Sequence, residues 1–164
     1  MNLPEKLSKI LLSVTAEAHC DVPCGIYEPV QAKIAAKTIQ RMVMQLKELK
    51  PSDHNHNNLA AALEYTNAVT RRIATKEKHA QMCKDELSLL WSDFFKPEHL
   101  EKFPDLHNTF WQALKLCSKN KQFIDEEAAQ KLIAAVDEIA KIFYEVKNDP
   151  DRYGSYQNIT DKLF

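Results

Sequence analysis

A chain of 164 residues with 45% hydrophobic content is the size of one domain and carries enough apolar surface for an ordinary core. Two glycines in the whole chain, against an average usage of about 7%, leave little for tightly turned sheets or for phosphate-cradling loops. The net charge is −1 with both signs interspersed, so nucleic acid and anionic membranes are not expected partners, and no apolar run approaches the roughly 20 residues of a membrane span.

Residues 1–18 carry Lys6, Lys9 and a small-residue "AEA" ending at Ala18, which mimic a secretory signal. The uninterrupted apolar stretch, Ile10 to Leu12, is far shorter than the roughly 7–15 residues an export core needs. A cytoplasmic protein is therefore expected. Leu3, Leu7, Ile10, Leu11 and Val14 fall at helical spacing, so the leader reads as a removable pro-segment, a short amphipathic helix able to cover part of the folded body. It is followed by "HCDVPCGIY", His19 to Tyr27, where a histidine, two cysteines and the first glycine crowd together.

After Pro29, the apolar residues Ile34, Ile39, Met42, Val43, Leu46 and Leu49 mark one face of a helix over about 30–49, until "KPSDHNHNN" breaks it. A second helix over about 58–90 follows Leu59, Leu63, Val69, Ile73, Cys83, Leu87 and Leu90. "SDFFKPEHLEKFP", with two prolines, interrupts it. Leu106, Phe110, Ala113, Leu114 and Cys117 give a third helix. Leu132, Ile133, Val136, Ile139, Ala140 and Phe143 give a fourth, with Asp125 placed to cap it. The tail "NDPDRYGSYQNITDKLF" reads as irregular.

Four amphipathic helices without strand alternation predict an all-α fold, an antiparallel up-and-down four-helix bundle. The expected organisation is a leader at 1–18, a hook plus bundle at 19–147, and a tail at 148–164. Bundles often hold metals through Glu-x-x-His pairs on facing helices. None occurs here, so chemistry is expected outside the bundle core. Cys83 and Cys117 read as small core residues, His54 and His56 as solvated loop residues, and Trp91, Phe94, Phe95 and Phe103 as packing for a helix connection or subunit interface.

Cys20 and Cys24 flank Pro23 and precede Gly25. One fixed φ and one permissive residue let this segment curl with both sulfurs inward. Structural zinc is a poor fit, since no second cysteine pair completes its four ligands. Cleavage between Ala18 and His19 changes the ligand count. It frees an α-amine that can close a chelate with the Cys20 amide nitrogen, while two thiolates complete a plane. Square-planar N/S donation selects Ni(II) or Cu(II), with the His19 imidazole available as an axial ligand. Nickel is favoured because thiolates tend to reduce Cu(II). Anionic sulfur and amidate donors bring Ni(III) within reach, which makes the site a one-electron shuttle, and superoxide is the substrate that both gives and takes one electron.

The pattern His-Cys-x-x-Pro-Cys-Gly-x-Tyr, read on His19, Cys20, Pro23, Cys24, Gly25 and Tyr27, resembles the metal hook of the nickel superoxide dismutases. "LWSDFFKP" (Leu90–Pro97), "KFPDLH" (Lys102–His107) and "KIFYEVK" (Lys141–Lys147) extend the resemblance. It implies superoxide disproportionation by Ni(II)/Ni(III) cycling, one nickel per subunit, a protease that removes the leader, a four-helix bundle and a homohexamer. Nickel ligands are implied at His19 (amine and imidazole), Cys20 (amide and thiolate) and Cys24 (thiolate). Asp21 and Tyr27 are implied beside the metal, Tyr27 restricting access, and Lys96 is implied as positive charge near the approach of an anion.

Two departures accompany the resemblance. Ala35 and His79 stand where the family carries a glutamate and an arginine that hold the axial imidazole, so altered redox tuning or a replacement partner is expected. Phe94 stands where a second pocket tyrosine is usual. Competing readings of the same residues are a nickel or copper carrier without turnover and an interaction bundle with a Cys20–Cys24 disulfide.

Overall fold

A computed structural model of the chain describes residues 25–50 and 58–164. Helix α1, Val30–Glu48, turns Ala32, Ala35, Ala36, Ile39 and Val43 inward. Three alanines on that face let neighbouring helices approach closely at the start of α1, and the larger Ile39 and Val43 fill the space further along. Helix α2, Leu59–Leu89, begins where Asn58 accepts a hydrogen bond from the Ala61 N–H at 3.1 Å. It buries Ala80, Cys83 and Leu87.

The periodic pattern over α2 differs from the structure at its first turns. Leu59 and Leu63, expected on the apolar face, are 72% and 60% exposed. The reason is length. The hydrogen bond from Arg72 Nε to Gln45 Oε1 at 3.1 Å pairs a point near the end of α1 with one well inside α2. At 1.5 Å per residue, α2 overhangs its partner by about 15 Å.

A π-helical turn, Leu90–Phe94, ends α2, closed by the Phe95 N–H donating to the Leu90 carbonyl at 3.1 Å. Short α3, His99–Lys102, leads to α4, Leu106–Gln122, and then α5, Glu126–Val146. Asp125 caps α5 as expected, accepting from the Ala128 N–H at 3.0 Å. The aromatics of the α2–α4 connection pack it. Trp91 donates to His107 Nδ1 at 2.8 Å and stacks on Phe110, while Phe94 lies 4.4 Å from Phe143 between ring centroids.

Helices α1, α2, α4 and α5 form the bundle. Ile39, Val43, Leu87, Phe110, Val136, Ile139 and Phe143 are fully buried in its core, where each such side chain stabilises the fold by about 1.5–3 kcal/mol. Cys83 and Cys117 are free thiols in the same core. The Cys83 thiol is pushed up by its contact with Cys117 and by burial, which keeps it protonated and unreactive. A buried lysine, Lys76, donates to the carbonyls of Asn120 and Lys121, the latter at 2.9 Å. It thereby satisfies the C-terminal carbonyls of α4, where a cation also meets the negative end of the helix dipole.

The tail corrects the irregular reading. Helix α6, Pro150–Thr160, starts with Asp149 accepting from the Arg152 N–H at 3.1 Å and with proline in its first turn. Tyr153 and Tyr156 then pack on Tyr144 of α5, each at 5.8 Å between ring centroids. The turn chemistry at 148–151 looks like a loop in sequence, yet it is a helix start signal. The apolar stripe is made of tyrosines rather than aliphatic residues.

Candidate metal centre

The chain enters α1 through Gly25, Ile26, Tyr27 and Glu28. Gly25 has φ +81°, the left-handed region that side chains rarely adopt. No described residue beyond its chain neighbours lies within 4 Å of where a Cβ would stand, so it is the backbone conformation that calls for glycine there. Tyr27, two residues on, is only 7% exposed, and its ring centroid lies 5.9 Å from that of Phe94. Phe94 also meets Phe95 at 4.9 Å, and Lys147 Nζ stands over its ring at 6.0 Å. The missing hydroxyl at Phe94 is thus accompanied by a largely hydrocarbon setting shared with Tyr27 and Phe143.

Glu28 fixes the same entry. One of its oxygens accepts from the Tyr144 hydroxyl and the other makes an ion pair with Arg152 Nη2 at 2.7 Å. Burial and then the Glu28 carboxylate push the Tyr144 phenol well above its ordinary range, so it stays a hydrogen-bond donor at any physiological pH. One turn into α1, Lys33 is 1% exposed and donates to both Asp137 oxygens. Asp137 also accepts from the Tyr156 hydroxyl at 2.7 Å.

Lys96 is exposed, and its backbone N–H donates to His99 Nδ1 at 3.1 Å. With Trp91, Phe95, Leu106 and His107 it lines a cavity of about 210 Å³. Of the residues singled out in sequence, Gly25, Tyr27 and Lys96 are thus located. Ala18, His19, Cys20, Asp21, Pro23 and Cys24 lie outside the described residues, as do the leader and the loop histidines His54 and His56.

The departure at Ala35 and His79 also takes physical form. Ala35 is 1% exposed in the core and offers no polar group. His79 is half-buried, and its Nδ1 has no hydrogen-bond partner among the described residues. Burial, helped by neighbouring Lys78, lowers its pKa and keeps the imidazole neutral. Sequence reasoning missed Glu28, Lys33, Asp137, Tyr144 and Arg152. The available signal was Lys33 among the buried alanines Ala32, Ala35 and Ala36, since a lysine at a core register needs acceptors supplied by the fold.

Among the described residues, no group of three or more His, Cys, Asp or Glu could hold a metal ion. No helix there is long and apolar enough to cross a membrane. The described residues define a helical-bundle protein, and the histidine- and cysteine-bearing stretch singled out in sequence precedes the first bundle helix. Residues 14–147 match the nickel-containing superoxide dismutase family, and the chain belongs to that family. A nickel superoxide dismutase of Streptomyces coelicolor is 37% identical over 134 residues, covering 82% of this chain and 92% of that protein. One from Streptomyces seoulensis is 35% identical over the same length. A native nickel superoxide dismutase structure, 36% identical, superposes with a TM-score of 0.65 over 79% of this chain and 99% of its own. An apo form, 34% identical, superposes with a TM-score of 0.63 over 76% and 99%.

Proposed function

We propose that the chain is a nickel superoxide dismutase whose metal is held by His19, Cys20 and Cys24 once residues 1–18 have been removed. The observation that carries this reading is the unbroken hook sequence inside a family match, ending on a glycine whose φ of +81° suits a sharp exit from a chelating loop. The donor set fits the ion. The His19 amine, the Cys20 amide nitrogen and the Cys20 and Cys24 thiolates would supply the N/S donors that nickel takes, with the His19 imidazole as a further donor. The lack of any other candidate cluster among the described residues adds support. Nickel held there supplies the one-electron exchange by which two superoxide ions and two protons become dioxygen and hydrogen peroxide.

The protein's own residues do the rest. In this reading Tyr27, whose ring lies against Phe94, narrows access to small diatomic ions, and Asp21 is assigned a place beside the metal. Lys96 contributes positive charge that raises the local concentration of an anionic substrate. Leader removal requires a protease that cuts between Ala18 and His19. The leader's lack of an export core supports action in the cytoplasm. The exposed Leu59 and Leu63 on the overhang of α2 support assembly with further copies, up to the homohexamer that the family resemblance implies.

The test is metal substitution in the chain beginning at His19. Nickel-loaded protein is expected to release one dioxygen and one peroxide for every two superoxide ions, with zinc-loaded protein inactive. Tight nickel binding without turnover would instead identify a carrier.

A further inference from the structure

The family match ends at residue 147, and α6 lies entirely beyond it. This helix nevertheless runs beside α1 in the same direction, and their contacts advance together. Arg152 meets Glu28 at 2.7 Å. Tyr156 meets Asp137, which holds Lys33. Asp161 stands 3.7 Å from Lys33, and the Phe164 ring lies 4.6 Å from Lys37 Nζ and 5.6 Å from Arg41. The first contact in this series falls on Glu28, one residue past Tyr27 and four past Cys24.

The Glu28 carboxylate meets a different element with each oxygen, accepting a hydrogen bond from Tyr144 of α5 on one side and forming an ion pair with Arg152 of α6 on the other. Its side chain is 26% exposed, so water competes for it only in part. A carboxylate held from two directions fixes the backbone that carries it. That backbone directly follows the proposed hook in sequence. Holding that exit in place lowers the entropy lost when four donors are gathered about one ion.

We propose that α6 is a brace for the metal hook, with Arg152 and Glu28 as positioning residues that act on nickel retention through Gly25–Tyr27. This rests on the hook assignment of His19, Cys20 and Cys24. Neither residue touches substrate, and the brace is supplied by a segment outside the family match.

The test compares the parent with Arg152→Ala and Arg152→Lys, each as the chain beginning at His19. Amide hydrogen exchange is read without metal, and nickel release to a chelator is read after loading. Arg152→Ala is expected to speed exchange over residues 26–34 by about two- to fivefold, the range that a partly exposed ion pair supports. Exchange in α4 should be unchanged, nickel should leave severalfold faster, and Arg152→Lys should recover most of both effects. Unchanged exchange over 26–34, an equal rise in α4, or unaltered nickel release beside a local rise would each overturn the brace. A parent that retains no nickel would fault the hook assignment instead, and the exchange comparison would still decide whether α6 fixes the foot of α1.

Discussion

The middle and the start of α1 are held by different physics. Around Ile39 and Val43 the helix is surrounded by apolar side chains with no exposure at all. That burial is strong but nearly directionless, and it tolerates small shifts of one helix against another. Around Glu28 and Lys33 the partners are Tyr144, Arg152, Asp137 and Tyr156. The hydrogen bonds to Tyr144, Asp137 and Tyr156 are directional, and the Arg152 ion pair adds a close charge contact at 2.7 Å. The contrast teaches that apolar burial supplies most of the bundle's stability, while a polar cluster holds the entry to α1, the end of the helix that follows the proposed hook.

The sharpest way to separate the two is to damage the core alone. Phe110→Ala, at a site with no exposure, is expected to cost about 3–5 kcal/mol in urea unfolding. Nickel content per folded chain should be unaffected. Lys33→Met acts on the boundary between the regions. It leaves Asp137 with Tyr156 as its remaining close partner, and because that carboxylate is 37% exposed the expected loss is smaller, about 1–3 kcal/mol.

Gly25→Ala tests the foot directly. A side chain held at φ +81° costs about 1–2 kcal/mol, with no steric clash to add to it. A modest fall in the unfolding midpoint is expected together with faster nickel loss. Strain that appears in stability but not in metal retention would detach Gly25 from the hook.

The smallest expected effect concerns pH. The folded-state pKa of His79 lies below its ordinary 6.5, so below neutrality the unfolded chain binds more protons at this residue than the folded one. Stability is therefore lost as pH falls through 6.5 toward the lower folded value. His79→Gln is expected to flatten the melting temperature between pH 7 and pH 5. An unchanged slope would mean that its unpartnered Nδ1 is not the group responsible.

Much of the bundle was legible because aliphatic residues recur with the helical period, and Asp125 announced the start of α5 through its capping chemistry. The overhang of α2 was not. Leu59 and Leu63 continue the same period whether or not a neighbouring helix is long enough to cover them. Helix α6 was hidden because its buried face is built from Tyr153 and Tyr156, and because Asp149-Pro150 opens loops as readily as helices. The hook is assigned from residue chemistry and the family resemblance, since few patterns place a histidine, two cysteines, a proline and a glycine so close together, and His19 to Cys24 lie outside the described residues. The polar cluster could not be read that way. Glu28, Asp137 and Arg152 are far apart in sequence, ordinary in type, and related only through the packing of three helices.

The central claim is that the α-amine of His19 is a nickel ligand, so the most direct measurement compares two forms of the same protein supplied with the same nickel. The chain beginning at His19 is expected to hold about one nickel per subunit and to consume superoxide, while the chain beginning at Met1 does neither. Equal nickel content and equal turnover in the form beginning at Met1 would contradict the account, because the amine on which the donor set depends would then be dispensable.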